Sequence, residues 1–131
     1  MENCVFCKIR KGEIPSTKLY EDEDFMIIKD INPQAKIHLV AIPNYHIGRI
    51  VNTNEEQALL IGKIMHKISK MQSELGLTNG YRLIINQGED AGQGKTDRPA
   101  QHRWLEEELV ESMAVHLGTD CYLERKRFSE T

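Results

Sequence analysis

The rhythm of apolar and polar positions along this chain changes twice. Up to about residue 43, apolar residues come in short runs rich in β-branched and aromatic side chains, "KLYEDED", "FMIIKDI" and "IHLVAIP", separated by turn-forming "NPQ" and "PNYH". These runs predict an antiparallel meander of strands. From residue 54 the period lengthens. Leu60, Ile64, Ile68, Met71 and Leu75 recur at helical spacing and share one face of a helix expected over about 54–75. Thr53 and Glu56 have the spacing of a capping box at its start, and Gly76 would stop it. "YRLIINQ" then reads as a buried strand leading into a glycine-rich run. Beyond Pro99, Leu105, Leu109, Met113 and Leu117 recur with acidic residues between them, predicting a second, C-terminal helix that ends at Gly118. "DCYLERKRF" has the composition of a further strand.

Bulk properties narrow the class without choosing a chemistry. A chain of 131 residues, 40% hydrophobic and 28% charged, suits one domain over 1–131 with a modest core. The formal net charge is −3, and the longest basic cluster is "ERKRF", so the broad positive footprint of a nucleic-acid binder is missing. No segment reaches the roughly 20 apolar residues of a membrane span, and "MENCVFCKIRKGEIPS" has no leader-like apolar stretch. A cytoplasmic protein without nucleic-acid or membrane partners is the expectation. Three cysteines, Cys4, Cys7 and Cys121, cannot all pair within one chain, which fits a reduced compartment.

Several local signals compete. C-x-x-C at Cys4 and Cys7 suits metal ligation, redox chemistry or two small buried thiols, and the context for a redox motif is weak. "GQGKT" looks like the end of a phosphate-binding P-loop, but that motif requires glycine where Glu89 stands, and a carboxylate there would repel phosphate. His66 and His116 read as surface or boundary residues, and Glu106, Glu107 and Glu108 as a solvated helix face.

Taken together, "CVFCKIRKGEIPS", "LYEDEDFMIIKDINPQAKIHLVAIPNYHI" and "GYRLIINQGEDAGQ" resemble the histidine-triad (HIT) family of nucleotide-binding hydrolases and transferases. C-x-x-C, G-E-I-P, D-I-x-P-Q-A-x-x-H, I-P-x-x-H-I and G-x-x-A-G-Q follow one another in the family's order over about residues 2–93. The resemblance implies an α+β fold with an antiparallel sheet of about five strands and one long helix after the first strands. It further implies a homodimer that binds a purine nucleoside monophosphate or derivative. Family members cleave phosphoramidates, anhydrides or adenylates at the α-phosphate through a nucleophilic histidine. Its neutral imidazole attacks phosphorus near pH 7, and water then releases the nucleotide.

By position, the resemblance implies that Asp30 accepts hydrogen bonds from the ribose hydroxyls, Ile28 and Ile31 flank the base, and Asn86, Gly92 and Gln93 lie near the phosphate. Glycine at 92 would let the backbone come close to the ligand. From the residues alone, Asp30 equally suits the start of the "DINPQ" turn, Asn86 a strand end, and the two isoleucines the core. Some family members also hold zinc with the two cysteines, the histidine of I-P-x-x-H-I and the first triad histidine. That implies Cys4, Cys7 and His46 as ligands here, with Asp97 or His102 as the fourth; no organic cofactor is implied. Thiolate and imidazole donors match zinc, and a structural site needs four.

The pattern breaks after "AGQ". The family continues with three arbitrary residues and H-x-H-x-H, whereas Asp97, Pro99 and Gln101 stand at the three histidine positions here. Pro99 has no nucleophilic side chain, and His102 is the single imidazole nearby. In-line attack on phosphorus depends on geometry, so a nucleophile displaced by a few residues would be severely handicapped. Residues 94–131 are thus an atypical C-terminal segment, and hydrolysis is expected to be impaired. A non-enzymatic nucleotide-binding module and a zinc-stabilised interaction module are the alternatives. Loss of the triad strand would also leave a sheet edge for "CYLERKRF" or a partner subunit to cover.

Overall fold

Two faces of one sheet are buried, and this explains the unbroken apolar runs of the first third of the chain. The structure, a computed structural model, describes residues 4–30, 33, 35–87 and 113–117. Its elements in chain order are α1 (Val5–Arg10), β1 (Lys18–Glu21), β2 (Phe25–Lys29), β3 (Ile37–Pro43), α2 (Glu55–Lys70), β4 (Arg82–Ile84) and β5 (Met113–Leu117). The sheet order is β1-β2-β3-β5-β4. As expected, β1, β2 and β3 form an antiparallel meander.

Alternate residues of β2 and β3 face opposite layers. Phe25, Ile27, Leu39 and Ala41 pack with Ile61, Ile64 and Ile68 of α2, while Met26, Ile28, Val40 and Ile42 pack under α1. Strands covered on both sides have no reason to alternate with polar residues. Ile64 and Ile68 are fully buried, each contributing roughly 1.5–3 kcal/mol by leaving water.

The long helix forms where its period predicts, with two differences at its ends. Its cap is Asn54, whose side chain accepts from the Gln57 backbone at 2.8 Å while Gln57 Oε1 accepts from the Asn54 N–H at 3.1 Å. Thr53 does other work: its hydroxyl donates to the Ile50 carbonyl at 2.6 Å, closing a 3-10 turn over Ile50–Asn52. At the far end Met71 N–H bonds to the Ile68 carbonyl, tightening the last turn, and the chain reverses at Gly76 with φ +77°. A side chain at Gly76 would also meet Ile37 Cδ1 at 3.1 Å.

One prediction is corrected. Met113 and Leu117 belong to β5 and not to a C-terminal helix. Ile37–Ala41 of β3 pair in parallel with Met113–Leu117, and Arg82–Ile84 of β4 pair in parallel with Ala114–His116. The sheet is therefore mixed. A five-residue apolar run carries too little periodicity to separate strand from helix, and the unpaired backbone of β3 and β4 offers it more than an isolated helical turn would. Val115 is fully buried at the centre. The opening between β3 and β4 is thus filled by this segment; residues 105–112 and 118–131, including "CYLERKRF", lie outside the described residues. No helix among the described residues is long and apolar enough to cross a membrane.

Candidate functional site

α1 builds the first half of the site. Cys4 occupies its N-cap position and Cys7 follows one turn later, so the two sulfurs share a side of a six-residue helix. Both residues are buried at 3% exposure. β3 supplies the other half by ending at Pro43 and delivering His46 three residues beyond. Cys7 Sγ lies 3.4 Å from His46 Nδ1, and the donor atoms of Cys4, Cys7 and His46 all lie within 4.8 Å of one another. Zinc bonds of about 2.3 Å to sulfur and 2.0 Å to nitrogen separate tetrahedral ligands by roughly 3.5 Å, so the sulfur–nitrogen edge already has the right length. The donor set fits the metal in chemistry, number and spacing for three of its four ligands. Asp97 and His102, the expected fourth ligands, lie outside the described residues.

Charge around the cysteines is shared with Arg10. Burial, followed by the neighbouring Cys4, pushes the Cys7 thiol above its ordinary pKa, while the Arg10 guanidinium pulls the other way. Arg10 was not among the sequence candidates, although its i+3 spacing from Cys7 is the signal that would have found it.

Three of the six expected nucleotide residues can be placed. Ile28 is fully buried in the layer beneath α1. Asp30 directly follows β2, and its carboxylate is wholly covered, with Oδ2 at 3.3 Å from Nε2 of an equally buried His38. The Asp30 N–H also donates to the His38 carbonyl at 2.9 Å. His38 was missed as a site residue, yet it is the histidine of the D-I-x-P-Q-A-x-x-H motif. Asn86 is half-buried just past β4, and its carbonyl accepts from Gln87 Nε2 at 2.9 Å. Gln87 in turn accepts from Ile50 N–H at 2.7 Å, tying the end of β4 to the approach to α2. Ile31, Gly92 and Gln93 lie outside the described residues. β2 and β4 stand three strand spacings apart, roughly 14 Å. Asp30 lies beside the start of β3 whereas Asn86, two residues past Ile84, lies toward its far end, so a ligand touching both would have to run diagonally across β3 and β5.

A separate groove of about 540 Å³ runs along the first turns of α2, lined by Asp24, Tyr45, Asn54, Leu59, Leu60 and Lys63 among others. Ile28, Asp30 and Asn86 are not among its described lining residues. His66 is exposed on α2, as expected for a surface histidine.

Comparison with known proteins gives a consistent outcome. The family model described as "Scavenger mRNA decapping enzyme C-term binding" matches residues 3–96. Protein HitA of Neisseria gonorrhoeae is 42% identical over 93 residues, covering 71% of this chain and 87% of that protein. Among solved structures, a HIT family hydrolase from Clostridium thermocellum is 49% identical with a TM-score of 0.65, over 71% of this chain and 82% of that one. A histidine triad nucleotide-binding protein from Candida albicans is 34% identical with a TM-score of 0.59, over 69% and 66%.

Proposed function

This chain belongs to the histidine-triad family, and from that premise we propose that it binds a purine nucleoside monophosphate or derivative while lacking most of the family's hydrolytic power. The observation that carries this is the sequence after "AGQ": Asp97, Pro99 and Gln101 replace the three histidines. The family match runs through residue 96 and stops where the triad would begin. A proline cannot attack phosphorus, so no nucleotidyl-enzyme would form at that position. Backbone N–H groups and the remaining polar side chains would still orient a phosphate.

The experiment pairs turnover with binding. Incubation with adenosine phosphoramidate at pH 7 is expected to release AMP at close to the uncatalysed rate, while calorimetric titration with AMP shows saturable binding. Turnover well above background would overturn the proposed loss of catalysis and make His102 the first candidate nucleophile. Absence of AMP binding would remove the nucleotide site. Asp30→Asn separates two roles for the buried carboxylate. AMP affinity falls if Asp30 reads the ribose, which requires the turn after it to yield, and stays constant if Asp30 serves His38 alone.

Zinc is the cofactor the site favours, held by Cys4, Cys7 and His46 with a fourth ligand from Asp97 or His102. A closed site of this kind would contribute folding energy and no chemistry. The competing reading, a zinc-stabilised interaction module, is supported by the same cluster. It predicts that chelation lowers the melting temperature while AMP changes nothing. A homodimer is also proposed. Leu59 and Met65 are exposed on α2, and β4 is an edge strand among the described residues, so a second copy has apolar side chains and an open strand edge to cover. Light scattering of the purified chain tests it.

A further inference from the structure

Arg10 lies one turn beyond Cys7 on α1, and its guanidinium is fixed at two points. Nη2 donates to Cys7 Sγ at 3.0 Å and Nη1 donates to the Pro43 carbonyl at 2.6 Å. Pro43 closes β3, three residues before His46. One planar group therefore bridges the segment that carries the cysteines and the segment that carries the histidine. The same residues, Cys4, Cys7, Arg10, Pro43 and His46, line a cavity of about 10 Å³, scarcely the room of one water-sized atom or ion.

From this bridge we infer that Arg10 is a positioning residue for the metal: it holds Cys7 and His46 at coordination distance and donates a charge-assisted hydrogen bond to the ligating sulfur. The assignment rests on the zinc reading above. A metal-bound cysteine is a thiolate, which accepts and cannot donate, so an arginine already aimed at the sulfur needs no rearrangement on binding. Arginine suits the place because its rigid fork serves two acceptors at once, whereas a lysine ammonium is a point charge on a flexible stem. Partners behind metal ligands set ligand orientation, and removing one typically costs about ten- to a hundredfold in affinity.

The test measures zinc affinity of the full chain by competition with a chromophoric chelator, with cobalt as a spectroscopic substitute, in wild type, Arg10→Ala, Arg10→Lys and Cys7→Ser. Arg10→Ala is expected to weaken zinc about ten- to a hundredfold, with Arg10→Lys intermediate. The sulfur-to-cobalt charge-transfer band should move to longer wavelength in Arg10→Ala, because a sulfur without its hydrogen bond gives up charge more easily. Cys7→Ser should bind at least as poorly as Arg10→Ala. If Arg10 merely ties α1 to β3, Arg10→Ala lowers the melting temperature of the metal-free protein and leaves affinity and band unchanged, which overturns the assignment while the zinc site stands. Wild-type protein that takes up neither metal overturns both.

Discussion

A single carboxylate shows how much one residue can organise. Asp22, in the turn between β1 and β2, accepts from the Tyr20 hydroxyl at 2.6 Å, from the Asp24 and Phe25 N–H groups at 2.8 and 3.1 Å, and from Lys67 of α2 at 2.8 Å. Burial alone would raise its pKa, but the Lys67 ammonium, the tyrosine and the two backbone donors outweigh burial and hold it well below the usual carboxylate range. A folded-state pKa below the unfolded one adds stability that is fully present above the unfolded value, begins to fade below it and is gone once pH has fallen through the folded value. Asp22→Asn is therefore expected to cost about 1–3 kcal/mol at neutral pH. The gap to wild type should narrow below about pH 4. Urea unfolding of both proteins at pH 7, 5 and 3 checks it, and a gap that stays constant across that range would refute the ionic account. At this scale the sequence was legible where a motif named the residue. Cys4, Cys7 and His46, each named by a motif, lie with their donor atoms within 4.8 Å of one another. Arg10 and His38 went unrecognised because their roles depend on which strand end lies against which side chain.

Elements were legible in proportion to their length. Sixteen helical residues in α2 carry enough turns for the period to show, and β2 and β3 announce themselves by their β-branched content. α1, with six residues, has fewer than two turns, and its helicity comes from packing Val5, Phe6 and Ile9 onto the sheet. The sequence pattern of β5 suggests a helix because its strand identity is set by the neighbours it pairs with and not by its own pattern. The start of α2 gives a sharp test, since two candidate caps stand side by side. Asn54→Ala is expected to cost about 1 kcal/mol and Thr53→Ala distinctly less, because the Asn54 side chain serves the helix and the Thr53 hydroxyl serves the preceding turn. Thermal melts of the two variants decide; equal losses, or a larger loss for Thr53→Ala, would show that the cap is misplaced.

The whole molecule depends on a strand from its last fifth. β5 joins β3 to β4, and without it the sheet divides into a three-stranded meander and a lone strand. Val115→Asp places a carboxylate at a fully buried position between those neighbours. An unpaired buried charge costs several kcal/mol, comparable to the stability of a small domain. The variant should lose cooperative unfolding by circular dichroism, whereas a folded variant would mean that the rest of the sheet stands without β5. The α+β class and the meander were readable from the sequence; the mixed sheet was not, because parallel pairing joins residues distant in the chain and leaves no local trace.

The place of β5 in the chain has a consequence for biosynthesis. A ribosome delivers β3 and β4 long before the strand that sits between them, so each waits with one row of amides and carbonyls open until residue 117 has cleared the exit tunnel. During that interval the nascent chain is a template for any other extended polypeptide. Exposure to aggregation, and need of a chaperone, therefore last until β5 has emerged and docked between β3 and β4.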